Sequence, residues 1–426
     1  MSALVKLVQA APRYLELLHS QYWSAEKLNS YREQHLRRTL ALAAKIPFYV
    51  ERLGNAPRVE DFSRFPILRR RDVDSLCLSV RSLHPAGTPF AHAASTGTSG
   101  PRAEFLFDRS HQRGRYAARA RYLRANGWNP IQRSVWLAGA GFLNPSANDD
   151  YEDLQFVSRV LLGVRFLTNS TDFPRLATAI AEVDPFFIYV YPSVLDGLLR
   201  AIDGERLRLP SLRRVFCGAE VLDDSLRDRA RRQLGVDIFE NYGSTEAFIA
   251  WQCPAGNYHQ NAEHVFVELL NEQGREVTVG QMGKVVLTTL ENHLMPLVRY
   301  EIGDYAIAAE GVCGCGRTLP LMGRIVGRGM NLFRSVEGKL FTTWDLVNVF
   351  VELSNIDLFQ IVQKDLHRIL VKYVAAAQIG QETEDKIRTG FNVYLGPKVR
   401  IDFERVTDIP RMPGGKFIVT LSEVTA

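Results

Sequence analysis

The stretch that decides the fold is Asp237-Ile-Phe-Glu-Asn-Tyr-Gly-Ser-Thr-Glu246. Its first three residues form a short apolar run, and a polar loop with a glycine, two hydroxyls and a carboxylate follows directly. Three similar apolar runs precede it, at residues 135–137, 186–190 and 215–217, and longer amphipathic segments separate them. Short buried strands that alternate with helices are typical of an α/β domain.

After Gly283 the sequence becomes rich in strand-like residues. The clearest predicted strand is Lys284-Val-Val-Leu-Thr-Thr-Leu290. Beyond residue 330 we expect strands at 359–362 and 369–373, a helix that ends at Gly396-Pro397, and a strand at 399–403. The apolar face of that helix comprises Ile387, Phe391, Tyr394 and Leu395. The pattern predicts a large N-terminal α/β domain, residues 1–328, and a smaller α+β domain, residues 329–426.

Composition excludes several classes of protein. The chain has 46% hydrophobic and 23% charged residues, which is typical of a globular protein. Its 426 residues are too many for one ordinary core. The longest apolar stretch, at 185–195, is shorter than the roughly 20 residues that cross a bilayer. An N-terminus without a secretory apolar core predicts a cytoplasmic protein. The net charge of +5 is modest for this length and argues against the binding of polyanions. We expect neither nucleic-acid nor membrane partners, and Arg69-Arg70-Arg71 reads as a solvated face.

A glycine- and hydroxyl-rich loop, Ser95-Thr-Gly-Thr-Ser-Gly100, stands just before the strand-like residues 104–107. Glycines let the backbone approach an anion closely, and its N–H groups and hydroxyls replace the hydration of phosphate. The loop lacks the Gly-Lys-Ser/Thr ending of a Walker A motif. Alone it would read as an ordinary turn.

Two further segments carry polar groups suited to a nucleotide. Glu246 is a carboxylate that can hold Mg²⁺, and the hydroxyls and aromatic ring before it can border a nucleotide. Arg299-Tyr-Glu-Ile-Gly-Asp304 precedes Gly323-Arg-Ile-Val-Gly-Arg328. The aspartate can accept hydrogen bonds from both hydroxyls of a ribose, and an arginine can donate to them.

In this order, these segments resemble the adenylate-forming superfamily, in its phenylacetate–coenzyme A ligase-like and CapK-like branch. The resemblance extends over nearly the whole chain. It includes Ala44-Lys-Ile-Pro-Phe-Tyr49, Tyr191-Pro-Ser193, Gly218-Ala-Glu220 and Pro413-Gly-Gly-Lys-Phe417. It implies a large AMP-binding domain with a smaller mobile C-terminal domain. It also implies that ATP activates a small carboxylic acid as its acyl-AMP. The acyl group is then transferred to a thiol, and the resemblance favours the thiol of coenzyme A.

The resemblance also assigns site residues. It implies that the triphosphate lies on the 95–100 loop, that Glu246 holds Mg²⁺, that Asp304 and Arg328 hold the ribose, and that Lys416 is the catalytic lysine. The residues that it implies for ATP or AMP binding are Thr96, Gly97, Thr98, Ser99, Gly100, Gly218, Ala219, Glu220, Tyr242, Gly243, Ser244, Thr245, Asp304 and Arg328.

The sequence departs from the family pattern at two places. The phosphate loop of relatives usually has a lysine after its last glycine, and here Pro101-Arg102 follows. After Gly327-Arg328 relatives commonly have acidic residues, whereas this chain continues Gly329-Met330-Asn331. The first departure concerns the phosphate contacts, and the second concerns the rotation of the C-terminal domain.

A possible metal site is formed by Cys253, His259, Cys313 and Cys315, with His264 as the reserve for the fourth ligand. Thiolates and imidazole are the ligands that Zn²⁺ prefers, and four of them leave no open position, as in a structural site. We expect the strand 284–290 to turn back and close the long gap between the two halves of the set. Reduced cysteines without a metal are the alternative interpretation.

Two other functions are compatible with parts of this sequence. A dinucleotide-dependent oxidoreductase fits poorly, because Gly139-Ala-Gly141 lacks the third glycine of that fingerprint. A non-catalytic nucleotide-binding protein would keep Asp304 and Arg328 but should have lost Lys416. The sequence does not decide whether the acyl acceptor is coenzyme A, a carrier protein or an amine. It also does not decide whether the protein forms a homodimer. Aromatic residues in the segments where relatives form the acyl pocket hint at an aryl acid; these are Trp136, Phe142, Tyr189 and Tyr191.

Overall fold

The computed structural model describes residues 3–54, 56–88, 90–94, 103–138, 164–168, 172–202, 208–329, 332–350, 353, 355–356, 358–410 and 417–424. The chain divides into two compact units. The first comprises Met1–Leu222 and Arg227–Ile325, and the second comprises Asp223–Leu226 and Val326–Ala426. None of the helices in the described ranges combines the length and the apolar character needed to cross a bilayer.

Helices begin where a side chain can satisfy the free N–H groups of the first turn. Ser24 accepts from Lys27 N at the start of one helix, and Asp108 accepts from His111 N at 2.8 Å at the start of another. The helices of the described residues are α1 (Ala3–Ser20), α2 (Ala25–Ala43), α3 (Pro47–Leu53), α4 (Val73–Arg81), α5 (Arg109–Ala125), α6 (Phe173–Val183), α7 (Pro192–Ala201), α8 (Asp224–Leu234), α9 (Thr343–Val347) and α10 (Gln381–Leu395).

The strands of the described residues are β1 (Ala91–Ala94), β2 (Glu104–Phe107), β3 (Ser134–Ala138), β4 (Val164–Thr168), β5 (Phe187–Val190), β6 (Arg214–Gly218), β7 (Asp237–Gly243), β8 (Phe248–Gln252), β9 (Tyr258–Gln260), β10 (Val265–Leu270), β11 (Met282–Thr289), β12 (Tyr300–Ile307), β13 (Leu321–Met322), β14 (Ile325–Arg328), β15 (Phe333–Arg334), β16 (Leu340–Phe341), β17 (Leu358–Asp365), β18 (Arg368–Val374), β19 (Arg400–Arg405) and β20 (Thr420–Ser422).

A mixed sheet organises the first unit. Its order is β13-β9-β8-β7-β6-β5-β3-β4, and the strands from β7 to β4 run parallel, whereas β7, β8, β9 and β13 pair antiparallel. The parallel strands are continuously apolar because their residues are buried on both faces, as Val215, Phe216 and Cys217 are. The predicted runs at 135–137, 186–190, 215–217 and 237–239 therefore lie side by side in one sheet.

Two smaller sheets complete the first unit. β10, β11 and β12 pair antiparallel, and β1 and β2 form a hairpin. The predicted strand at 284–290 is the greater part of β11. A core of aliphatic and aromatic side chains joins these sheets to α2 and α4, and it includes Leu36, Leu76, Phe105, Val285 and Tyr300.

The second unit has its own core. β17 and β18 pair antiparallel, and β19 and β20 add parallel strands at the two edges. Ile387, Phe391 and Leu395 of α10 are buried against strand residues such as Ile361 and Val371. A glycine with φ +91° at position 396 follows the helix, where a left-handed conformation favours glycine.

The predicted fold class, a large α/β domain followed by a smaller α+β domain, is confirmed. The strands expected at 359–362, 369–373 and 399–403 lie within β17, β18 and β19. The strand β20 was not anticipated. The boundary after residue 328 and the mobility of the smaller domain stay predictions.

Candidate active site

The carboxyl ends of the parallel strands bring the sequence motifs together. Val190 lies beside Cys217, and Gly218 lies beside Asn241, so β5, β6 and β7 end at the same edge of the sheet. The residues that follow these strands therefore share one edge. In open α/β sheets this edge is where ligands bind.

The turn after β6 has an unusual backbone. Ala219 has φ +69°, a left-handed conformation that costs a residue with a Cβ roughly 1–2 kcal/mol. Before it, a Cβ on Gly218 would lie 2.7 Å from Nδ2 of Asn241, so glycine is needed for this close approach. Such local strain is frequent at ligand-binding sites. Ala219 is also exposed, which leaves its backbone accessible.

Two distant motifs meet at Tyr242 and Asp304. The hydroxyl of Tyr242 donates a 2.8 Å hydrogen bond to Oδ2 of Asp304, and both residues are buried. Gly303, with φ +85°, turns the chain immediately before the aspartate. The structure thus joins the loop after β7 to β12 through a hydrogen bond between two of the predicted nucleotide-binding residues.

Glu246 is buried, and Tyr300 lies near its carboxylate. Burial, together with the nearby negative charge of Glu246, raises the pKa of Tyr300 above its ordinary value. Glu220 has a different role in the structure. Its carboxylate accepts hydrogen bonds from the backbone N and the Oγ of Ser193, at 2.8 and 3.0 Å, at the start of α7.

Arg115 of α5 supports the loop that carries Ser244 and Thr245. Its two terminal nitrogens donate to the carbonyl oxygens of Thr245, at 2.6 Å, and Ser244, at 3.2 Å. Burial, together with the nearby charge of Arg119, lowers the pKa of Arg115 to about 10. The guanidinium therefore fixes the backbone between Gly243 and the Glu246 carboxylate.

An aromatic pair lies on the neighbouring strands β3 and β5. The rings of Trp136 and Tyr189 stack with centroids 5.3 Å apart, and the Asn241 amide donates to the Tyr189 hydroxyl at 2.9 Å. Tyr191 follows β5, and burial raises the pKa of its hydroxyl. These three aromatic residues are partly buried, as expected of side chains that border a cleft.

The four predicted metal ligands lie together. The Sγ atoms of Cys253 and Cys313 are 3.6 Å apart, and Sγ of Cys315 is 3.3 Å from Nε2 of His259. All four ligand atoms lie within 4.8 Å of one another. A tetrahedral zinc site with Zn–S bonds of about 2.3 Å requires sulfur separations of about 3.8 Å, so the donor set fits this ion.

The backbone around this cluster also suits a metal. Nδ1 of His259 lies 3.2 Å from the carbonyl oxygen of Leu319, which orients the ring with Nε2 toward the cysteines. The two halves of the cluster are joined by β13, where Leu321 pairs with His259. The expectation that strand 284–290 closes this gap was wrong, because β11 belongs to another sheet.

His264, the reserve ligand, lies elsewhere. Its Nδ1 is 2.5 Å from Oε2 of Glu291, and burial lowers the pKa of His264 to about 3. The reserve assignment was therefore unnecessary, since the cluster of the described residues is complete with His259.

Several predicted residues lie outside the described part of the chain. They include the whole phosphate loop, with Thr96, Gly97, Thr98, Ser99 and Gly100, and also Pro101, Arg102, Gly139, Ala140, Gly141, Phe142, Met330, Asn331 and Lys416. Arg328 is described as the last residue of β14, in the second unit.

Sequence reasoning missed Arg115 and Arg119, and it did not single out Tyr300 within its motif. α5 carries many arginines, and no local signal distinguishes those that face the loop after β7 from those that face solvent. The helical spacing of four residues would have grouped Arg115 with Arg119, but only the packing of α5 shows what the pair faces.

Comparisons with known proteins agree with this geometry. The AMP-binding enzyme family matches residues 158–295, and the CapK C-terminal domain matches residues 333–423. A phenylacetate–coenzyme A ligase of Thermus thermophilus is 26% identical over 324 residues, which cover 71% of this chain and 71% of that protein. A phenylacetate–coenzyme A ligase of Escherichia coli is 24% identical over 339 residues, 73% of this chain and 75% of its own length.

A solved structure of a 2-hydroxyisobutyryl-CoA ligase in its postadenylation state, in complex with 2-HIB-AMP, has the same fold. Its TM-score is 0.74 at 20% identity, and the match covers 95% of this chain and 93% of that chain. The AMP-binding match and the sequence relatives support an AMP-forming ligase of the adenylate-forming superfamily. Within that superfamily the chain is similar to the phenylacetate–coenzyme A ligases and to CapK.

Proposed function

We propose that this protein uses ATP to activate a small carboxylic acid and then transfers the acyl group to the thiol of coenzyme A. In the first step a carboxylate oxygen attacks the α-phosphorus of ATP, and pyrophosphate leaves. In the second step the thiol sulfur attacks the acyl carbon, the thiol proton is lost, and AMP leaves. The net products are a thioester, AMP and pyrophosphate.

The observation that carries this proposal is the hydrogen bond between Tyr242 and Asp304 at the carboxyl edge of the sheet. It joins a loop with hydroxyls and a carboxylate to an aspartate suited to ribose. In the proposed complex Asp304 accepts from the ribose hydroxyls, and Gly218, Ala219 and Tyr242 border the adenine. Arg328 supports the ribose, and the 95–100 loop binds the triphosphate.

We also propose that Glu246 is a ligand of Mg²⁺. Mg²⁺ in nucleotide sites is commonly held by one or two carboxylates together with phosphate oxygens. The buried Glu246 carboxylate, which lies near Tyr300 on the loop after β7, fits this requirement. The ion neutralises charge on the phosphates when it is bound. Arg115 keeps the loop before Glu246 in one conformation.

Cys253, His259, Cys313 and Cys315 are assigned to one structural zinc ion. Four protein ligands complete a tetrahedral shell, so such an ion would have no position for substrate. Its role would be to hold the loop after β8, the strand β9 and the 313–315 turn together. The distances between the four ligand atoms support this assignment.

Exchange of labelled pyrophosphate into ATP tests the first step, because it requires reversible formation of acyl-AMP. Purified protein should catalyse exchange only when a suitable carboxylic acid is present. Hydroxylamine trapping across a panel of acids, with and without coenzyme A, then identifies the acid and the acceptor. If coenzyme A does not accelerate release of AMP but an amine or a carrier-protein thiol does, the second step is amide formation or carrier loading.

Failure to exchange pyrophosphate with any acid, while ATP still binds, would support a non-catalytic nucleotide-binding protein. The panel should contain aryl and aliphatic acids of similar size. The aromatic pair Trp136 and Tyr189 predicts that aryl acids are activated better than aliphatic acids of similar size. A planar ring packs favourably against aromatic side chains.

A further inference from the structure

We propose that Arg119 makes this enzyme selective for carboxylic acids that carry a second anionic group. The inference rests on the proposed function and names the substrate class of the same site. Arg119 would be a specificity-determining residue that pairs with the second group, away from the carboxylate that is activated.

The position of Arg119 follows from the spacing on α5. His111, Arg115 and Arg119 are four residues apart and lie along one face of the helix. The guanidinium of Arg115 reaches the carbonyls of Ser244 and Thr245, and that of Arg119 lies 5.8 Å from the ring centroid of Phe248. Arg115 therefore faces the loop after β7, and Arg119 faces Phe248, the first residue of β8.

Within the described residues, Arg119 is the arginine of this row that has neither a hydrogen-bond acceptor nor an ion-pair partner. Arg115 is held by two carbonyl oxygens, and Arg121 on the neighbouring face is paired with Glu263 at 2.6 Å. Across the described ranges, Arg119 forms no ion pair or hydrogen bond, and its close contact is with the Phe248 ring. A half-buried guanidinium without a partner loses hydration and gains little in return, so a ligand that supplies the missing charge is the natural complement.

The neighbours of Arg119 identify the acyl side of the site. Arg119 is an electrostatic neighbour of the Tyr191 hydroxyl, and Tyr191 directly follows β5 and lies near Tyr189. Four residues of helix advance about 6 Å, so Arg119 lies one turn beyond the arginine that holds the nucleotide-binding loop. Glu220 is also near Tyr191, but its carboxylate is hydrogen bonded to Ser193.

Guanidinium chemistry then limits the second group. Arginine binds a carboxylate through two parallel N–H···O hydrogen bonds, which a neutral amide of the same shape cannot match in charge. An acid with a carboxylate at the end opposite to the reacting one would use Arg119 in this way. Hydrogen bonds to charged groups typically give roughly 10- to 100-fold in binding or rate.

Paired acids test the proposal with the intact protein. Each pair differs only in the remote group, as in 4-carboxyphenylacetate against 4-carbamoylphenylacetate, and terephthalate against 4-carbamoylbenzoate. kcat/KM for each acid and KM for ATP are measured by pyrophosphate exchange. The variants are Arg119→Met, which keeps the aliphatic stem, Arg119→Lys, which keeps the charge, and Arg124→Met, an exposed arginine of the same helix, as control.

The wild-type protein and Arg124→Met should prefer the dicarboxylate of a pair by roughly 10- to 100-fold. Arg119→Met should remove this preference and leave kcat/KM for the amide acid and KM for ATP little changed, whereas Arg119→Lys should retain part of it. Equal use of both acids by the wild-type protein would overturn the inference but not the adenylation proposal. A rise in KM for ATP, or an equal loss for both acids in Arg119→Met, would also overturn it. A protein that adenylates no acid of any pair would overturn the inference, and exchange with the wider acid panel would then decide the adenylation proposal separately.

Discussion

At the scale of single residues, burial decides how much each polar contact in this site contributes. Asp304 is 7% exposed and Tyr242 8% exposed, so their hydrogen bond lies in surroundings where water competes weakly. A ribose that bonds to Asp304 would enter the same surroundings. The loss of such an acceptor therefore leaves donors unsatisfied on the nucleotide.

Asp304→Ala should raise the KM for ATP strongly. Each hydrogen bond to a charged acceptor is worth about 1.5–3 kcal/mol, which corresponds to roughly 10- to 100-fold in the KM. ATP dependence of acyl-AMP formation is the measurement. Tyr242→Phe serves as the matched control, because it removes the protein's own hydrogen bond and keeps the carboxylate. A near-normal KM for ATP in a folded Asp304→Ala protein would rule out the ribose assignment.

The sequence singled out some of the residues that lie at this edge of the sheet and missed others. Glu246 and Asp304 could be predicted because each follows a strand or glycine turn in a distinctive local pattern. Arg115 and Arg119 could not, because their significance depends on which face of α5 packs against the loop after β7. That packing is a tertiary property, and the helical pattern of α5 does not contain it.

At the scale of elements, a buried ion pair fastens α1 and α5 to the segment before β10. Arg121 donates to the two carboxylate oxygens of Glu263 at 2.6 and 3.0 Å, and both side chains are fully buried. Ser20 at the end of α1 donates to the same carboxylate. Arg121 also donates to Oδ1 of Asn261 and to the carbonyl oxygen of Leu17, so one guanidinium of α5 joins α1 to the 261–263 segment.

Glu263→Gln should destabilise the first unit by about 3–5 kcal/mol, because it leaves the Arg121 charge buried without a counter-charge. Denaturant unfolding monitored by tryptophan fluorescence measures the change. The double variant Arg121→Met with Glu263→Met removes both charges and should recover much of the loss. If the single and double variants unfold at the same denaturant concentration, the charge pair is not the cause.

The same pair predicts a pH dependence. Burial raises the pKa of Glu263, but the charge of Arg121 and the hydrogen bonds from Arg121 and Ser20 outweigh it, and the pKa lies below its ordinary value of 4.5. The unfolded chain then binds the proton more readily. The stability that Glu263 contributes is present above about pH 4.5 and is lost as the pH falls through the folded pKa. The difference between wild type and Glu263→Gln should shrink accordingly in acid.

The metal cluster also belongs to the scale of elements, since it joins β9 to two loops. Cys315→Ser should lower the zinc content of gently purified protein and lower its melting temperature. Cys217→Ser changes a buried cysteine of β6 outside the cluster and should leave the zinc content unchanged. Metal analysis of the two purified variants and of the wild-type protein measures this difference in zinc content. Wild-type protein without stoichiometric zinc would reject the assignment.

Elements were predictable where they belong to a repeated pattern, as the apolar runs between amphipathic segments do, or where they are long, as α10 is. The continuous apolar runs of the parallel strands and the apolar face of α10 gave correct positions. β13 has two residues and β20 has three, and such lengths are too short for any periodicity. The closure of the cysteine cluster depends on β13, and this is why the sequence assigned it to the wrong strand.

At the scale of the whole molecule, the chain combines an α/β unit with a smaller α+β unit, and the residues named in the predictions are distributed over both. Asp304 and Glu246 belong to the first unit, whereas Arg328 and Lys416 belong to the second. Lys416 lies outside the described residues, in Pro410-Arg-Met-Pro-Gly-Gly-Lys416. Its role rests on the family resemblance and on the chemistry of the first step.

Lys416→Ala should abolish acyl-AMP formation and leave the second step largely intact. A carboxylate that attacks the α-phosphate approaches another anion, and negative charge develops on the phosphoryl oxygens as pyrophosphate leaves. A lysine ammonium that is present at that moment lowers the barrier of this step selectively. Capture of chemically supplied acyl-AMP by coenzyme A involves no such charge and does not need the lysine.

The two half-reactions are measured separately, by pyrophosphate exchange and by thioester formation from the supplied acyl-AMP. Lys398→Ala, an exposed lysine of the same unit, is the control and should support both. Survival of both half-reactions in Lys416→Ala would make Lys416 a surface residue and reject the mechanism. Loss of both, with the melting temperature unchanged, would mean that Lys416 acts in a substrate complex common to the two steps. Only the selective loss of adenylation agrees with a lysine that stabilises charge on the α-phosphate, because this charge forms in the first step alone.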